Sequence, residues 1–208
     1  VAYYQMDFEA AQTFYEECLA IRRKIGDRRL LSTVLVNLGN VAYHRRDLSN
    51  ARSYYEESLQ YAETVNELSM KALAFHNLGM LHTAFGNMNL GRTLLLRSLK
   101  ICVEIGKRDL IADNLEVMAR MHLSLRMMKR AALFLGAAAG LREELGIPLP
   151  PCEKAEVDKT MTQVRDALDE DDFAAAWAEG EHMPLEDVIK LAMETGSSKA
   201  ATEDDPTK

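Results

Sequence analysis

The sequence predicts an all-α protein: a right-handed superhelix of about three and a half stacked helical hairpins with a C-terminal helical cap. Three observations carry this. The first is a pattern that recurs every forty residues: Leu38-Gly39, a polar turn at Arg45-Arg46-Asp47, then Ala51 and Tyr55 four apart. It returns as Leu78-Gly79, Gly86-Asn87, Gly91 and Leu95, and again as Met118-Ala119, Arg126-Met127, Ala131 and Leu135. Its second half alone precedes these, as Asp7, Ala11 and Tyr15. A fixed period of this kind marks stacked repeats. The second observation is a stop signal in register: Gly26, Asn66, Gly106 and Gly146. Gly and Asn take positive φ cheaply, so these positions mark helix ends. The third is apolar spacing at three- and four-residue steps, with no alternating strand pattern.

The elements follow in order. Residues 7–25 carry Phe8, Ala11, Phe14, Tyr15, Cys18, Leu19 and Ile25 at helical spacing, with Asp7 as N-cap. Further helices are expected over about 28–45, 48–65, 68–85, 88–105, 109–125 and 128–145. Asp47 and Asn87 repeat the N-cap, whereas Met127 replaces it in the last hairpin. The loops are short, which forces neighbouring helices antiparallel. Pro148, Pro150 and Pro151 end the repeat with a stiff link. An amphipathic helix follows from Glu153 to Leu168, with Val157, Met161, Val164 and Leu168 on one side. A short helix over 171–179 buries Phe173, Ala176 and Trp177, and a third runs from after Pro184 to about Met193. The expected organisation is therefore repeats over 1–146 (a half hairpin 1–26, then 27–66, 67–106 and 107–146). A helical cap spans 147–194, and a disordered acidic tail spans 195–208.

Spacing within the unit resembles the tetratricopeptide repeat (TPR). Leu35, Leu38, Gly39, Ala51, Tyr55 and Ser58 stand where that family places its packing residues. The steric logic is that Gly39 and Ala51 let two helices approach while Tyr55 fills the gap one turn on. The unit departs from the family in two ways. Ala42, His82 and His122 replace an aromatic three residues after the small residue, and the period is longer than usual. A second resemblance covers roughly residues 130–194. It rests on Gly136-Ala137-Ala138, Leu141-Arg142, Leu145-Gly146, the Phe173–Gly180 run and Leu185-Glu186-Asp187-Val188. These are similar to the C-terminal helical arm of bacterial STAND-type ATPase and LuxR-like transcriptional regulators. That resemblance implies a sensing or partner-binding arm of a larger regulator.

Composition narrows the function classes. The net charge is −7, but residues 150–208 hold sixteen acids and six bases, net −10, leaving +3 for residues 1–149. No basic stripe favours direct nucleic-acid binding by this segment. Cys18, Cys102 and Cys152 suit neither a disulfide framework nor a zinc site, which points to a reducing cytoplasm. The apolar run Ala131–Leu141 is too short for a membrane span. Val1 falls inside a hairpin, so the chain reads as a piece of something longer.

No enzymatic constellation emerges. Gly136 to Gly140 lies in a helix and lacks the Lys-Ser/Thr of a phosphate loop, so close helix packing is its expected role. His44, His76, His82, His122 and His182 contain no i, i+4 pair, and no metal or cofactor is expected. The serines have no strained turn to expose a nucleophile. Cys18 shares its register with Ser58 and Ser98, a small-residue crossing. The run Asp169 to Asp172 suits a helix start better than a cation site.

Candidate binding residues come from the concave face, which the resemblance to TPR stacks implies is lined by the first helix of each hairpin. They are Val36, Asn40, Tyr43 and His44; His76, Met80 and Thr83; and Glu116, Arg120 and Ser124. This mixture suits a peptide, a protein segment or a small inducer; the alternative is a solvated face with no ligand. Non-catalytic recognition is the leading expectation. Self-association through the N-terminal half hairpin, where Phe8, Phe14 and Tyr15 lack a covering helix, is the second. The third is a regulatory arm for a cyclase or ATPase whose catalytic domain lies elsewhere.

Overall fold

The computed structural model describes residues 2–194. Every regular element among them is a helix: α1 (Phe8–Ile25), α2 (Arg28–His44), α3 (Leu48–Thr64), α4 (Leu68–Ala84), α5 (Met88–Ile105), α6 (Arg108–Ser124), α7 (Met128–Leu145), α8 (Pro151–Asp166), α9 (Glu170–His182) and α10 (Leu185–Met193). The seven repeat helices fall within one residue of their expected spans. Helix α8 starts two residues early, at Pro151, because proline needs no amide partner in a first turn. The acidic tail expected over 195–208 lies outside the described residues.

Caps place the helix starts. Asp7, Asp27, Asp47 and Asp169 each accept a hydrogen bond from the amide three residues on. Asn87 and Met127 stand at N-caps without such a bond. The ends follow the expected register, with φ of 77° at Gly26, 50° at Asn66, 68° at Gly106 and 65° at Gly146. A second left-handed register was not anticipated: Met6 (61°), Arg46 (64°), Gly86 (79°) and Arg126 (62°). At Arg46, Gly86 and Arg126 it closes the first helix of a hairpin, and at Met6 it closes the turn before α1. The next amide reaches back there, Asp47 N to Ala42 O and Met127 N to His122 O, both at 2.9 Å.

Within the hairpins the small residues sit where the helices cross. The Tyr55 ring lies directly over Gly39, and its hydroxyl donates to Asn40 Oδ1 at 2.7 Å. Leu95 takes the tyrosine's place over Gly79, and Ala119 is fully buried in the third hairpin. Ser32 and Ser58 cross α2 and α3 with their hydroxyls 2.9 Å apart, each also donating to the other's carbonyl. The result is an all-α TPR-like solenoid in which α2, α4 and α6 share one face.

The C-terminal helices divide. Helix α9 packs along α7 through Gly136, Gly140 and Gly180, where any Cβ would run into the opposite backbone. Phe173 and Ala176 are buried there, and Trp177 packs against the same core. Helix α10 adds Val188 and Ala192 to it. Helix α8 touches α9 only at its end, where Arg165 lies over the Phe173 ring. It turns back along α6 and α7 into the hollow of the stack, with Val164 fully buried.

At the other end, residues 2–6 fold over α1. Tyr3 meets Phe8 edge-on, and Phe8 stacks on His44 at 5.2 Å. Tyr15 packs with Leu19 and Leu31. Of the three residues expected to lack cover, only Phe14 does, at 63% exposure. No helix among the described residues is long and apolar enough to cross a membrane.

Candidate functional site

The concave face is built by repetition. Asn40, Met80 and Arg120 occupy one register on α2, α4 and α6, and His76 and Glu116 occupy another one turn earlier. Helix α8 lies across them and brings Glu153, Glu156 and Val157. Between α8 and this face is a cleft of about 110 Å³. Of the expected site residues, Asn40, Tyr43, His44, His76, Met80, Glu116 and Arg120 line it.

Three expected residues fall outside it. Val36 is 2% exposed and does not reach the cleft wall. Thr83 is turned toward α5: its hydroxyl donates to Gly79 O at 2.9 Å and lies against Gly91. Ser124 is exposed and donates to Arg120 O at 3.1 Å. Both hydroxyls donate to the carbonyl one turn back on their own helix.

Two carboxylate clusters organise the site. Glu156 of α8 accepts from Arg120 Nη1 at 3.1 Å and from the Tyr43 hydroxyl at 3.5 Å, with Arg46 at 3.9 Å. One α8 carboxylate thus ties α8 to both α2 and α6. Deeper in, Arg142 of α7 donates from Nε to Glu116 Oε1 at 2.6 Å and from Nη2 to Glu116 and Asp113. Arg142 and Glu116 are almost wholly buried, so each keeps the other from being an uncompensated charge. Glu116 is therefore spent on Arg142, which limits it as a ligand contact.

Glu153 has no such partner among the described residues. Burial, and then the charges of Asp113 and Glu116, push its carboxyl up to about 7, against the pull of Arg142. Burial lowers the pKa of His76 and of His44, leaving both neutral near pH 7. Two polar atoms at the wall are buried and without a partner among the described residues: Asn77 Nδ2 and Arg120 Nη2. Such an atom costs about 1–3 kcal/mol when left unpaired.

Sequence reasoning missed Asp113, Asn77, Arg142 and every α8 residue of the site. Asp113 and Asn77 lie one turn from expected positions and could have been reached by extending the helical face. Glu153 and Glu156 had no local signal, because their role depends on where α8 lies, and that of Arg142 depends on how α7 packs on α6. A wider open groove of about 570 Å³ runs between α7, α9 and α10, where Lys129 pairs with Asp172 at 2.7 Å and Arg130 with Glu194 at 3.2 Å.

Residues 1–64 match the family model described as tetratricopeptide repeat. No curated protein matches the chain. The match covers α1 to α3, and the same forty-residue grammar runs on through α7. Tetratricopeptide repeats generally mediate protein–protein interaction. Matched segment, small-residue crossings and strand-free stack together support a tetratricopeptide-repeat domain.

Proposed function

We propose that this chain is a non-catalytic recognition module whose concave face binds a helical, acidic segment of a partner protein, in place of α8. The observation that carries this is the seat of Glu156, where Tyr43 and Arg120 grip a carboxylate on an amphipathic helix. A groove that already holds one helix by its apolar side and one carboxylate is suited to another of like pattern. The module serves as the sensing or partner-binding arm of a larger bacterial signalling or transcription regulator in the cytoplasm, as its resemblance to STAND-type and LuxR-like arms implies.

The probe is a fluorescent peptide with the sequence of residues 151–166. It competes with the tethered α8. Glu156→Gln in the full chain loosens α8, so this variant binds the peptide about tenfold tighter than the unaltered chain, or by about 1.4 kcal/mol. Adding Tyr43→Ala and Arg120→Ala abolishes the gain while helicity is kept. Peptide binding that ignores Tyr43 and Arg120 overturns the groove assignment.

A second reading is self-association through α1, favoured by one observation. Phe14, Ile21 and Ile25 are 63%, 57% and 65% exposed on its outer side. A second copy would stand against α1 as α2 stands against α3. Light scattering that finds a monomer throughout the micromolar range rejects it.

A further inference from the structure

We infer that the cleft between α8 and the concave face is a binding site for a small protonated amine carrying an oxygen acceptor, such as an amino alcohol or amino acid. The inference concerns the closed chain, with α8 in place, and does not rest on the peptide reading.

Charge comes first. Four carboxylates line the cleft: Asp113, Glu116, Glu153 and Glu156. Arg142 satisfies Asp113 and Glu116, and Arg120, with Arg46 further off, satisfies Glu156. Glu153 is left with no cation among the described residues. A ligand ammonium would supply it, and the desolvated carboxylate would hold it more strongly than one in water. The raised pKa of Glu153 is the sign of this deficit: in the absence of a cation, a proton neutralises the group.

Hydrogen bonding is the second, independent observation. Asn77 is 4% exposed, and its Nδ2 has no acceptor. Arg120 Nη2 at the same wall has none either. Both are donors only, so they ask for an oxygen on the ligand. A pure cation would leave the donors unmet, and a pure anion would meet Glu153 unfavourably. A molecule with both groups satisfies the whole set.

Size is the third. A volume of about 110 Å³ is room for roughly three or four waters, hence for a molecule of roughly four to six non-hydrogen atoms. Among the described residues no three His, Cys, Asp or Glu side chains are placed to hold a metal ion. Leu73, Met80, Val117 and Val157 complete the lining and give the carbon skeleton an apolar bed.

The test is calorimetry and thermal shift on the full chain with four probes: ethanolamine, alanine, ethylamine and acetate. Ethanolamine or alanine should bind saturably and raise Tm, outbinding ethylamine and acetate by about tenfold or more. Glu153→Gln and Asn77→Leu should each lose about tenfold in affinity, with unliganded melting and helicity confirming that both variants fold. Thr83→Val, outside the cleft, should bind as the unaltered chain does. Failure of all four probes means the cleft holds water only and overturns the inference. So does equal binding by ethylamine or acetate, or full binding by the folded Glu153→Gln variant. Failure here leaves the peptide assay unaffected, since that assay reads α8 displacement.

Discussion

Gly180 faces the carbonyl of Leu133 so closely that a methyl group would overlap it, and Gly136 stands in the same relation to Trp177 O. Neither residue turns the chain; both are helical positions where the absence of a side chain permits backbone contact. Gly180→Ala should therefore cost about 3 kcal/mol by overpacking, read as a lower urea midpoint at unchanged m. The opposite sign is expected at Arg126. It holds φ of 62° without being glycine and has no bond to lose among those described for its side chain. Arg126→Gly should gain about 1 kcal/mol in the same measurement, by relieving the left-handed penalty. Glu153 offers a pH signature. Its folded carboxyl titrates near 7, above the ordinary 4.5, so its contribution is intact below 4.5 and lost as pH rises through 7. Facing it are Asp113 and Glu116 from α6, Arg142 from α7 and Glu156 on its own helix. Glu153→Gln should thus be more stable than the unaltered chain above pH about 8, by about 1–2 kcal/mol after discounting for partial exposure, and equal to it below pH about 4. Equal stability at all pH values would show that Glu153 is solvated.

Helix α8 illustrates how an amphipathic element is placed. Val157, Met161 and Val164 form its apolar side, as the spacing predicts, and that side packs on the core of the last hairpins; Leu168, expected to end the helix, lies two residues beyond it and packs on the same core. Where the polar side goes is set elsewhere, by Tyr43 and Arg120 meeting Glu156. Hydrogen exchange should find α8 less protected in Glu156→Gln, with α9 unchanged, because α9 is held by the glycine seam on α7. Equal protection of α8 in both proteins would mean the carboxylate contributes nothing to its docking. The hairpin elements behave differently. Their boundaries agree with expectation to a residue, since caps, left-handed stops and apolar period all act within a few positions.

Across the whole molecule, the buried imidazoles favour neutral pH. Burial lowers the pKa of His44, His76 and His122. His44 faces Glu156 and Arg46; His76 faces Asp113, Arg120 and Arg142; His122 faces Arg130 and Arg92. The unfolded chain takes up protons below the ordinary 6.5 while the folded one resists, so stability is present above 6.5 and is lost as pH falls through the lowered values. Burial lowers the pKa of His82 as well; Glu153, between 4.5 and 7, and Glu116, also raised by burial, act the other way, but they are two groups against four. Tm should therefore fall on acidification from pH about 6.5 to 5, and a flat profile there would contradict the burial of these rings.

Short-range chemistry was enough for the repeat. Gly39, Ala51 and Tyr55 dictate a crossing whose partners lie within a single hairpin, and the forty-residue register then dictates the stack. Seven of the ten expected concave residues line the cleft, because helical period alone puts them on one face. Thr83 and Ser124 fell away because their hydroxyls bond their own helix, a choice that spacing does not reveal. The occupation of the hollow by α8, the burial of Arg142 between Asp113 and Glu116, and the isolation of Glu153 belong to the folded molecule. The seat of α8 joins it to α2, far away in the chain, and the Arg142 pair lies within one hairpin; the free energy of both depends on desolvation at a place that exists only after the hairpins have stacked.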